Sequence, residues 1–253
     1  MYKKIIVREP CSEMMGGLTS AGLGVPDYPL AREQHKTYIE ALVKCGCEVI
    51  TLPADPDFPD SVFVEDPALL IGSAAILANP GAASRRGEVS GMRQVLGEHF
   101  GVLEQICSPG TLDAGDVLEV EDHYYIGLSE RTNMEGAGQL IRILEKYNKS
   151  GSTIPVNKYL HLKSGVAYLG NNTLLLAGEL KKCEDFQEFI RLEVDDDEEY
   201  AANSIMVNGT VVTPAGFPKT IEMLLSSGFR VLTVDTSEYR KLDGGVSCLS
   251  LRF

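Results

Sequence analysis

The sequence is short of positive charge and of long apolar runs. Its 23 Lys and Arg residues are outnumbered by 36 Asp and Glu residues, which gives a formal net charge of −13 and a pI near 4.8. A chain this acidic binds nucleic acid poorly and is repelled by anionic membranes, whereas it suits cationic or zwitterionic small ligands. Only IIV follows the lysines near the N-terminus and no apolar run spans a bilayer, so we expect no signal peptide and a cytoplasmic protein.

Motifs for metals and cofactors are missing as well. The six cysteines are scattered without a CxxC pair, and no ligand at metal-binding spacing follows the close pair Cys45 and Cys47. The sequence has neither a phosphate-binding loop nor a dinucleotide fingerprint. We therefore expect no disulfides in a reducing compartment, no metal and no cofactor.

Neither a linker nor a low-complexity run divides the chain. The hydrophobic fraction of 44% and the charged fraction of 23% are typical of a globular protein with a substantial core. The most acidic stretch, EVDDDEE at residues 193–199, indicates a solvated turn. We predict a single domain over residues 1–253, a monomer or homodimer whose partner is a small molecule.

A weak internal repeat is the main positive signal. Apolar strands alternate five times with helical segments, which are REQHKTYIEALVKCG, SRRGEVSGMRQVLGEHF, NMEGAGQLIRILEKY, KCEDFQEF and PKTIEMLLSSG. In the second of these, Val89, Met92, Val95 and Leu96 fall on one face of a helix. The pattern predicts an α/β fold of five strand–helix–strand units.

Each unit is followed by a short segment rich in polar residues or glycine. The segments are VFVEDP, TLDAGDV, HLKSGV, AANSIMV and LDGGVSCL, and their marker residues Glu65, Asp113, His161, Asn203 and Cys248 are 48, 48, 42 and 45 residues apart. Five units of this length favour radial repetition, as in a five-bladed propeller, which would bring the markers together at the centre. The alternative is an ordinary α/β sheet in which the spacing is coincidental.

The markers include a thiol, an imidazole and a carboxylate. A lone cysteine between apolar residues, or a histidine between leucines, is more often a core residue. However, His161 is the one histidine of four in a marker segment, and in an extended chain Val246, Cys248 and Ser250 would share one face. If the segments converge, Cys248 and His161 make a nucleophile with its acid/base, and Asp113 can orient the imidazole.

Further carboxylates and arginines indicate the charge of a ligand. Glu65 and Asp66 lie at a strand end, with Asp60 upstream, and suit a guanidinium or ammonium group. Arg85 and Arg131 are either surface charges or, if they point inward, a clamp for a carboxylate. An amino acid with a cationic side chain satisfies all these groups, and attack of the thiol on a guanidinium carbon would give a covalent intermediate that water hydrolyses.

At these residues the chain resembles a known family. The segments LPADPDFPDSVFVEDP, NPGAASRRGE, GTLDAGDV, YIGLSERTNMEGA, LHLKSG, YAAN and DTSEYRKLDGGVSCLSLRF resemble the dimethylarginine dimethylaminohydrolases, the bacterial short form in particular. The resemblance covers the whole chain in order. It implies the guanidino-modifying (pentein) superfamily, a five-bladed pseudo-symmetric α/β propeller, and hydrolysis of Nω,Nω-dimethylarginine or Nω-methylarginine to citrulline and an amine.

The same resemblance implies a role for each site residue. Cys248 corresponds to the nucleophile, His161 to the general acid/base and Asp113 to the third catalytic residue. The implied substrate contacts are Leu18, Asp60, Glu65, Asp66, Arg85, Arg131 and the backbone of Leu242. The segment GGLTSAGLG, which contains Leu18, resembles a glycine-rich lid.

Three alternatives stay open at this point. An arginine deiminase carries an Asp two positions after the catalytic histidine, where this chain has Lys163, and an agmatine deiminase would not need the clamp of Arg85 and Arg131. A related transferase would hand the amidino group to an amine. A non-catalytic arginine-binding protein on the same fold is the alternative outside enzymes, and the presence of Cys248, His161 and Asp113 together argues against it.

Overall fold

The structure, a computed structural model, describes all 253 residues. Its strands are β1 (Lys4–Arg8), β2 (Glu48–Leu52), β3 (Ala68–Ile71), β4 (Ala74–Leu77), β5 (Val102–Gln105), β6 (Val117–Val120), β7 (His123–Leu128), β8 (Ser150–Pro155), β9 (Val166–Tyr168), β10 (Thr173–Leu176), β11 (Ile190–Glu193), β12 (Ile205–Val207), β13 (Thr210–Pro214), β14 (Arg230–Val234) and β15 (Leu251–Arg252). The α-helices are α1 (Tyr28–Lys44), α2 (Glu88–Gly97), α3 (Met134–Lys146), α4 (Pro218–Ser226) and α5 (Ser237–Arg240). No helix combines the length and the apolar character needed to cross a membrane.

The strands form five three-stranded sheets of one design. The sheets are β15-β1-β2, β3-β4-β5, β6-β7-β8, β9-β10-β11 and β12-β13-β14. In each sheet the central strand pairs antiparallel with the first strand named and parallel with the last. Parallel neighbours need a crossover connection, so the chain leaves each sheet after its central strand and returns to add the last strand. Each sheet therefore corresponds to one repeat of the sequence.

The marker residues share one position in this pattern. Glu65, Asp113, His161, Asn203 and Cys248 each lie two to five residues before the strand that opens a sheet, namely β3, β6, β9, β12 or β15. The regular spacing in the sequence therefore reflects a structural repeat, and the prediction of five repeated units is confirmed.

Local sequence accounts for the helices that cross over. Asp27 precedes helix α1 and caps it, because its carboxylate accepts from the N–H of Leu30 at 2.9 Å. Helix α2 buries Val89, Met92 and Leu96, as the apolar spacing predicts. Helix α4 begins at Pro218, and Gly228 follows its end with a φ of +85° that favours glycine.

The prediction of an α-helix in the fourth helical segment, KCEDFQEF, is wrong. Two short 3₁₀ helices, Gly178–Lys182 and Glu184–Phe186, replace an α-helix between β10 and β11. Only Leu180 and Phe186 of these segments are buried. Two apolar anchors in so short a segment do not offset the cost of nucleating an α-helix, so the connection folds into isolated turns.

Residue contacts divide the chain into two compact units, each with its own core. The first unit, residues 1–63 and 164–253, packs buried side chains such as Tyr38, Leu42 and Tyr239 around α1. The second unit, residues 64–163, packs α3 against β7 through side chains such as Leu140 and Ile126. The single-domain organisation over residues 1–253 stays a prediction.

Candidate active site

In the second unit, a buried carboxylate holds the imidazole of His161. The Nε2 atom of His161 lies 3.0 Å from Oδ2 of Asp113, and the two side chains are 5% and 0% exposed. The N–H of Gly81 donates to the other oxygen of Asp113 at 2.9 Å. Asp113 itself precedes a 3₁₀ turn, Ala114–Asp116, that leads into β6. The predicted pairing of Asp113 with His161 therefore exists in the structure.

A second carboxylate lies beside the opposite nitrogen of the ring. Oδ1 of Asp66 is 3.7 Å from Nδ1 of His161 and accepts from the N–H of Gly115 at 3.2 Å. A Cβ atom at Gly115 would stand 2.6 Å from Oδ1 of Asp66 and 2.7 Å from Nδ1 of His161. Glycine at this position thus allows the carboxylate, the imidazole and the backbone to meet.

These carboxylates decide the protonation state of His161. Burial alone would lower its pKa, but the charge of Asp66, the hydrogen bond to Asp113 and the charge of Asp116 outweigh burial and raise the pKa to about 9. Burial opposes ionisation of Asp113, yet the hydrogen bond to His161 holds the pKa of Asp113 below its usual value. At neutral pH the pair is consequently an imidazolium on a carboxylate, which is a ready proton donor.

Asp116, the second aspartate of the LDAGD motif, positions both partners of the pair. It is fully buried and accepts from the N–H of Leu162 at 2.9 Å, directly after His161. It also accepts from the hydroxyls of Ser129 and Thr132, each at 2.6 Å, and Thr132 in turn accepts from the N–H of Asp113 at 3.1 Å. Sequence analysis missed this role, although a second aspartate three residues after Asp113 was the available signal.

Arg85 lies inside the second unit, in an ion network. The guanidinium donates to Glu88 from Nε at 2.8 Å and from Nη2 at 2.7 Å, and its Nη1 pairs with Asp66. Arg85 is 5% exposed and is held by two carboxylates of the protein. The contact with Glu88 was not predicted, although the spacing of three residues offered a signal.

Unlike Arg85, Arg131 is not held by close contacts with carboxylates of the protein. Its guanidinium makes no hydrogen bond within the chain, and its nearest carboxylate oxygen, Oδ2 of Asp113, is 3.9 Å away. Its side chain is 17% exposed. Arg131 is therefore able to take up a carboxylate from outside the chain with little rearrangement.

Lys163 pairs with the carboxylate of Glu65. Its Nζ atom donates to Oε1 of Glu65 at 2.7 Å, and the two side chains are 14% and 3% exposed. Of the two adjacent acids Glu65 and Asp66, one thus faces a lysine and the other an arginine. Sequence analysis noted the lysine but did not predict this ion pair.

The charges of this cluster nearly cancel. It contains five carboxylates and four cations, namely Glu65, Asp66, Glu88, Asp113 and Asp116 against Arg85, Arg131, His161 and Lys163. Burial raises the pKa of Asp116, so the cluster carries at most one net negative charge and does not repel a cationic group arriving from solvent.

The same cluster has donor atoms that could bind a metal ion, but the charges on these residues do not favour one. Ligand atoms of Asp66, Asp113 and His161 lie within 4.8 Å of one another. A metal needs a neutral imidazole and free carboxylates, whereas His161 has a pKa near 9 and Asp66 pairs with Arg85. These residues suit proton transfer better, and the expectation of no metal and no cofactor stays a prediction.

In the first unit, a tight turn presents the thiol of Cys248. The N–H of Cys248 donates to the carbonyl of Gly245 at 3.2 Å, and the N–H of Gly245 donates to Sγ of Cys248 at 3.3 Å. The extended conformation in which Val246, Cys248 and Ser250 would share one face does not form here, because the chain makes this turn before β15 begins, and all three residues are buried. The sulfur thus accepts a hydrogen bond from the backbone.

The glycines before the thiol serve the protein itself. A side chain at Gly244 would collide with the ring of Phe63, and one at Gly245 would collide with the amide of Asn203. Helix α1 adds support, because the hydroxyl of Tyr38 donates to the carbonyl of Val246 at 2.9 Å. The turn is thus fixed from several sides.

Three further predicted residues also meet in the first unit. The N–H of Leu18 donates to Oδ1 of Asp60 at 3.0 Å, and a Cβ atom at Gly17 would stand 3.3 Å from the side chain of Leu242. The glycine-rich segment is attached next to Leu242, because the hydroxyl of Thr19 donates to the carbonyl of Lys241 at 2.7 Å. Its role as a lid stays a prediction.

The predicted residues fall into two sets. Glu65, Asp66, Arg85, Asp113, Arg131 and His161 lie together in the second unit, whereas Leu18, Asp60, Leu242 and Cys248 lie in the first. The contacts described above connect the residues of the second unit with one another, and they bring Leu18, Asp60 and Leu242 together in the first unit. The catalytic and substrate-binding roles of these residues stay predictions.

Comparison with known proteins identifies clear relatives. Residues 28–249 match the family model described as N,N dimethylarginine dimethylhydrolase, eukaryotic. The chain is 53% identical to the N(G),N(G)-dimethylarginine dimethylaminohydrolase of Pseudomonas aeruginosa, and the match covers all of both chains.

Two solved structures resemble the whole chain. One is a Cys→Ser variant of the Pseudomonas aeruginosa protein complexed with citrulline, with a TM-score of 0.99 at 52% identity, covering 100% of both chains. The other is a His→Gly variant of a dimethylarginine dimethylaminohydrolase as an adduct with S-methyl-L-thiocitrulline, with a TM-score of 0.98 and the same identity and coverage. These matches confirm the predicted fold class, the five-bladed pseudo-symmetric α/β propeller.

Proposed function

The chain belongs to the dimethylarginine dimethylaminohydrolase family, and on this premise we propose that it hydrolyses Nω,Nω-dimethyl-L-arginine to L-citrulline and dimethylamine. Nω-methyl-L-arginine is the second substrate, with methylamine as the amine product. The similarity extends over all of the Pseudomonas aeruginosa protein. The observation that carries the proposal is the buried imidazolium of His161 on Asp113 in a chain that also holds the thiol of Cys248.

The first half of the reaction forms a covalent bond between the sulfur of Cys248 and the guanidinium carbon of the substrate. Sγ of Cys248, as thiolate, attacks the guanidinium carbon and gives a tetrahedral adduct. His161 gives a proton to the dimethylated nitrogen, the C–N bond breaks, and dimethylamine leaves. We assign the proton to Nδ1, because Nε2 is held by Asp113 at 3.0 Å while Nδ1 lies 3.7 Å from the nearest oxygen of Asp66.

The second half returns the enzyme to its resting state. The neutral imidazole of His161 takes a proton from water as the water oxygen attacks the same carbon. The C–S bond then breaks, and the electrons return to the sulfur of Cys248. The departing product is citrulline with a protonated urea group, which releases its extra proton to solvent or to the freed dimethylamine. The enzyme is left with thiolate and imidazolium, so that protons and charges balance over the cycle.

The binding residues are assigned by charge. Asp60, Glu65 and Asp66 accept from the guanidinium, with Leu18 and the backbone of Leu242 as further contacts. Arg131 and Arg85 bind the α-carboxylate, and Arg131 is the more available of the two because its guanidinium makes no hydrogen bond within the chain.

Lys163 supports methylated substrates over arginine. It occupies one oxygen of Glu65 and adds a positive charge where a deiminase has another carboxylate. An unmethylated guanidinium brings N–H donors that would find no acceptor there, at a cost of about 1–3 kcal/mol each, whereas methyl groups need none. We therefore expect arginine to react at least tenfold more slowly than dimethylarginine.

A parallel product assay tests this proposal. Citrulline formation is measured with dimethylarginine, monomethylarginine, arginine and agmatine, with Cys248→Ser as the inactive control. We expect the two methylated arginines to be preferred in kcat/KM. Equal kcat/KM for arginine and dimethylarginine would contradict the proposal and favour the deiminase alternative. The cytoplasmic location and the monomer or homodimer state stay predictions.

A further inference from the structure

Ser129 opens the short turn, residues 129–132, that carries Arg131. Its N–H donates to the carbonyl of Thr132 at 3.1 Å and closes the turn. Its hydroxyl oxygen accepts from the N–H of Arg131 at 3.0 Å and from the N–H of Thr132 at 3.3 Å. One half-buried side chain thus holds the backbone of Arg131 itself and that of its neighbour.

The hydroxyl of Ser129 is anchored in the interior of the second unit. It donates to Oδ2 of Asp116 at 2.6 Å. Asp116 is fully buried, and its other oxygen accepts from the N–H of Leu162 at 2.9 Å. The hydroxyl therefore uses its hydrogen on a buried carboxylate and its oxygen on the two N–H groups of the turn. A fixed interior group consequently sets the orientation of the turn.

The opposite side of the turn lies against Gly81. A Cβ atom at Gly81 would stand 2.5 Å from the carbonyl oxygen of Arg131 and 2.6 Å from its Cα. The N–H of the same glycine donates to Asp113 at 2.9 Å. The backbone of Arg131 thus lies between Gly81 and the hydroxyl of Ser129, and it cannot move closer to Gly81.

The guanidinium of Arg131 depends on this hold on its backbone. It makes no hydrogen bond within the chain, and the nearest carboxylate oxygen, on Asp113, is 3.9 Å away. Because no hydrogen bond fixes the end of this long side chain, its direction is set by the position of its Cα and by packing. A small rotation of the turn would therefore displace the guanidinium by more than it displaces the backbone.

We propose that Ser129, anchored on Asp116, is a positioning residue that holds Arg131 where its guanidinium meets the α-carboxylate of the substrate. The inference rests on the proposed function, in which Arg131 binds that carboxylate. It adds a residue that determines affinity for the amino-acid end of the substrate by acting through Arg131, and that takes no part in the bond-breaking steps.

The test is equilibrium binding of dimethylarginine, measured by calorimetry in chains that carry Cys248→Ser so that no turnover occurs. Ser129→Ala removes the acceptor of both N–H groups and should weaken binding about threefold to tenfold, the effect of about one hydrogen bond. Ser129→Thr keeps the hydroxyl and should restore most of the affinity. With Cys248 present, Ser129→Ala should raise KM by the same factor.

The value of kcat should change little in Ser129→Ala. Asp116 keeps the hydrogen bonds from Leu162 and from the hydroxyl of Thr132 in this variant, so the surroundings of His161 are preserved. A KM effect without a kcat effect separates positioning of Arg131 from a general loosening of the site, which would lower kcat as well.

A double-mutant cycle shows whether Ser129 acts through Arg131. Ser129→Ala added to Arg131→Ala should weaken binding of dimethylarginine no further, because the group being positioned is already gone. Nω,Nω-dimethylagmatine, which lacks the α-carboxylate, should bind equally to the unaltered chain and to Ser129→Ala. Glu130→Gln, at the exposed position between the two residues, is the matched control and should leave every value unchanged.

The outcomes are distinct for the two proposals. Unchanged affinity in Ser129→Ala, or the same loss of affinity without Arg131 or with dimethylagmatine, overturns the role of Ser129. The expected binding results in a chain that forms no citrulline support the role of Ser129 and overturn the proposed function, and a chain that does not bind dimethylarginine overturns both. If Ser129→Ala does not fold, Ser129→Cys, with a weaker donor and acceptor, replaces it in the same cycle.

Discussion

Replacing Asp113 by Asn removes the charge on which the His161 imidazolium rests while keeping the shape of the side chain. The atoms concerned are Nε2 of His161 and Oδ2 of Asp113, 3.0 Å apart and buried. A hydrogen bond between charged groups contributes about 1.5–3 kcal/mol, and about 1.4 kcal/mol corresponds to one unit of pKa. We therefore expect the pKa of His161 to fall from about 9 in the unaltered chain to roughly 7–8 in the variant.

The direction of the pH effects follows from that raised pKa. In the unaltered chain the charged ring stabilises the fold fully below pH 6.5, and this contribution is lost as the pH rises through about 9. A proton donor with a pKa of about 9 stays protonated up to about that pH, so kcat should stay high up to the same pH. In Asp113→Asn the loss of stability should still begin near pH 6.5 but be complete roughly one to two pH units lower than in the unaltered chain, and the alkaline fall of kcat should move down by the same amount.

The assay is citrulline formation from dimethylarginine between about pH 6 and pH 10, together with an NMR titration of the His161 ring. Asp122→Asn, at an exposed acid whose side chain is 86% exposed and pairs with Lys149, is the matched control. It should leave the profile in place. An alkaline limb of Asp113→Asn that coincides with that of the unaltered chain would refute the role of this charge pair.

Three further changes have defined outcomes. Cys248→Ser should abolish citrulline formation while the thermal midpoint stays within a few degrees, because a hydroxyl replaces the only proposed nucleophile at similar volume; activity within tenfold of the unaltered chain would remove Cys248 from the mechanism. Arg131→Ala should raise KM for dimethylarginine about tenfold to a hundredfold with little change in kcat, through loss of charge-assisted hydrogen bonds to the α-carboxylate; an unchanged KM in steady-state kinetics would dismiss this contact. His35 is buried with no partner at Nε2, and burial lowers its pKa to about 4, so the fold should lose stability as pH falls from 6.5 towards 4. Urea unfolding at pH 7 and pH 5 should show a loss about 2 kcal/mol smaller in His35→Gln than in the unaltered chain, and an equal loss would assign the effect to other groups.

The repeat and the reactive residue types are readable from the sequence because both are local. Strand and helix periodicity are set by neighbouring residues, and the constant spacing of the marker residues follows from one supersecondary unit used five times. The types of residue at Asp113, His161 and Cys248 carry chemistry wherever the chain places them. The fourth helix shows the limit of periodicity, because its segment has too few apolar anchors to decide between α and 3₁₀ geometry.

Other parts of the site depend on contacts that no spacing encodes. Lys163 meets Glu65 across 98 residues, and Asp116 meets Leu162 across 46 residues. The turn at Cys248 is held by Asn203, 44 residues from Ser247, a contact that the local sequence around Cys248 does not indicate. Such pairings are selected by burial, since an unpaired charge or amide in the interior is costly.

Acid quenching of the enzyme during turnover, followed by peptide mass spectrometry, tests directly whether Cys248 is the nucleophile. We predict a covalent adduct on Cys248 of one and the same mass with dimethylarginine and with monomethylarginine, because the methylated nitrogen has left in both cases. Cys248→Ser should give no adduct. Adducts that differ by a methyl group between the two substrates, or an adduct on another residue, would rule out this covalent step on Cys248.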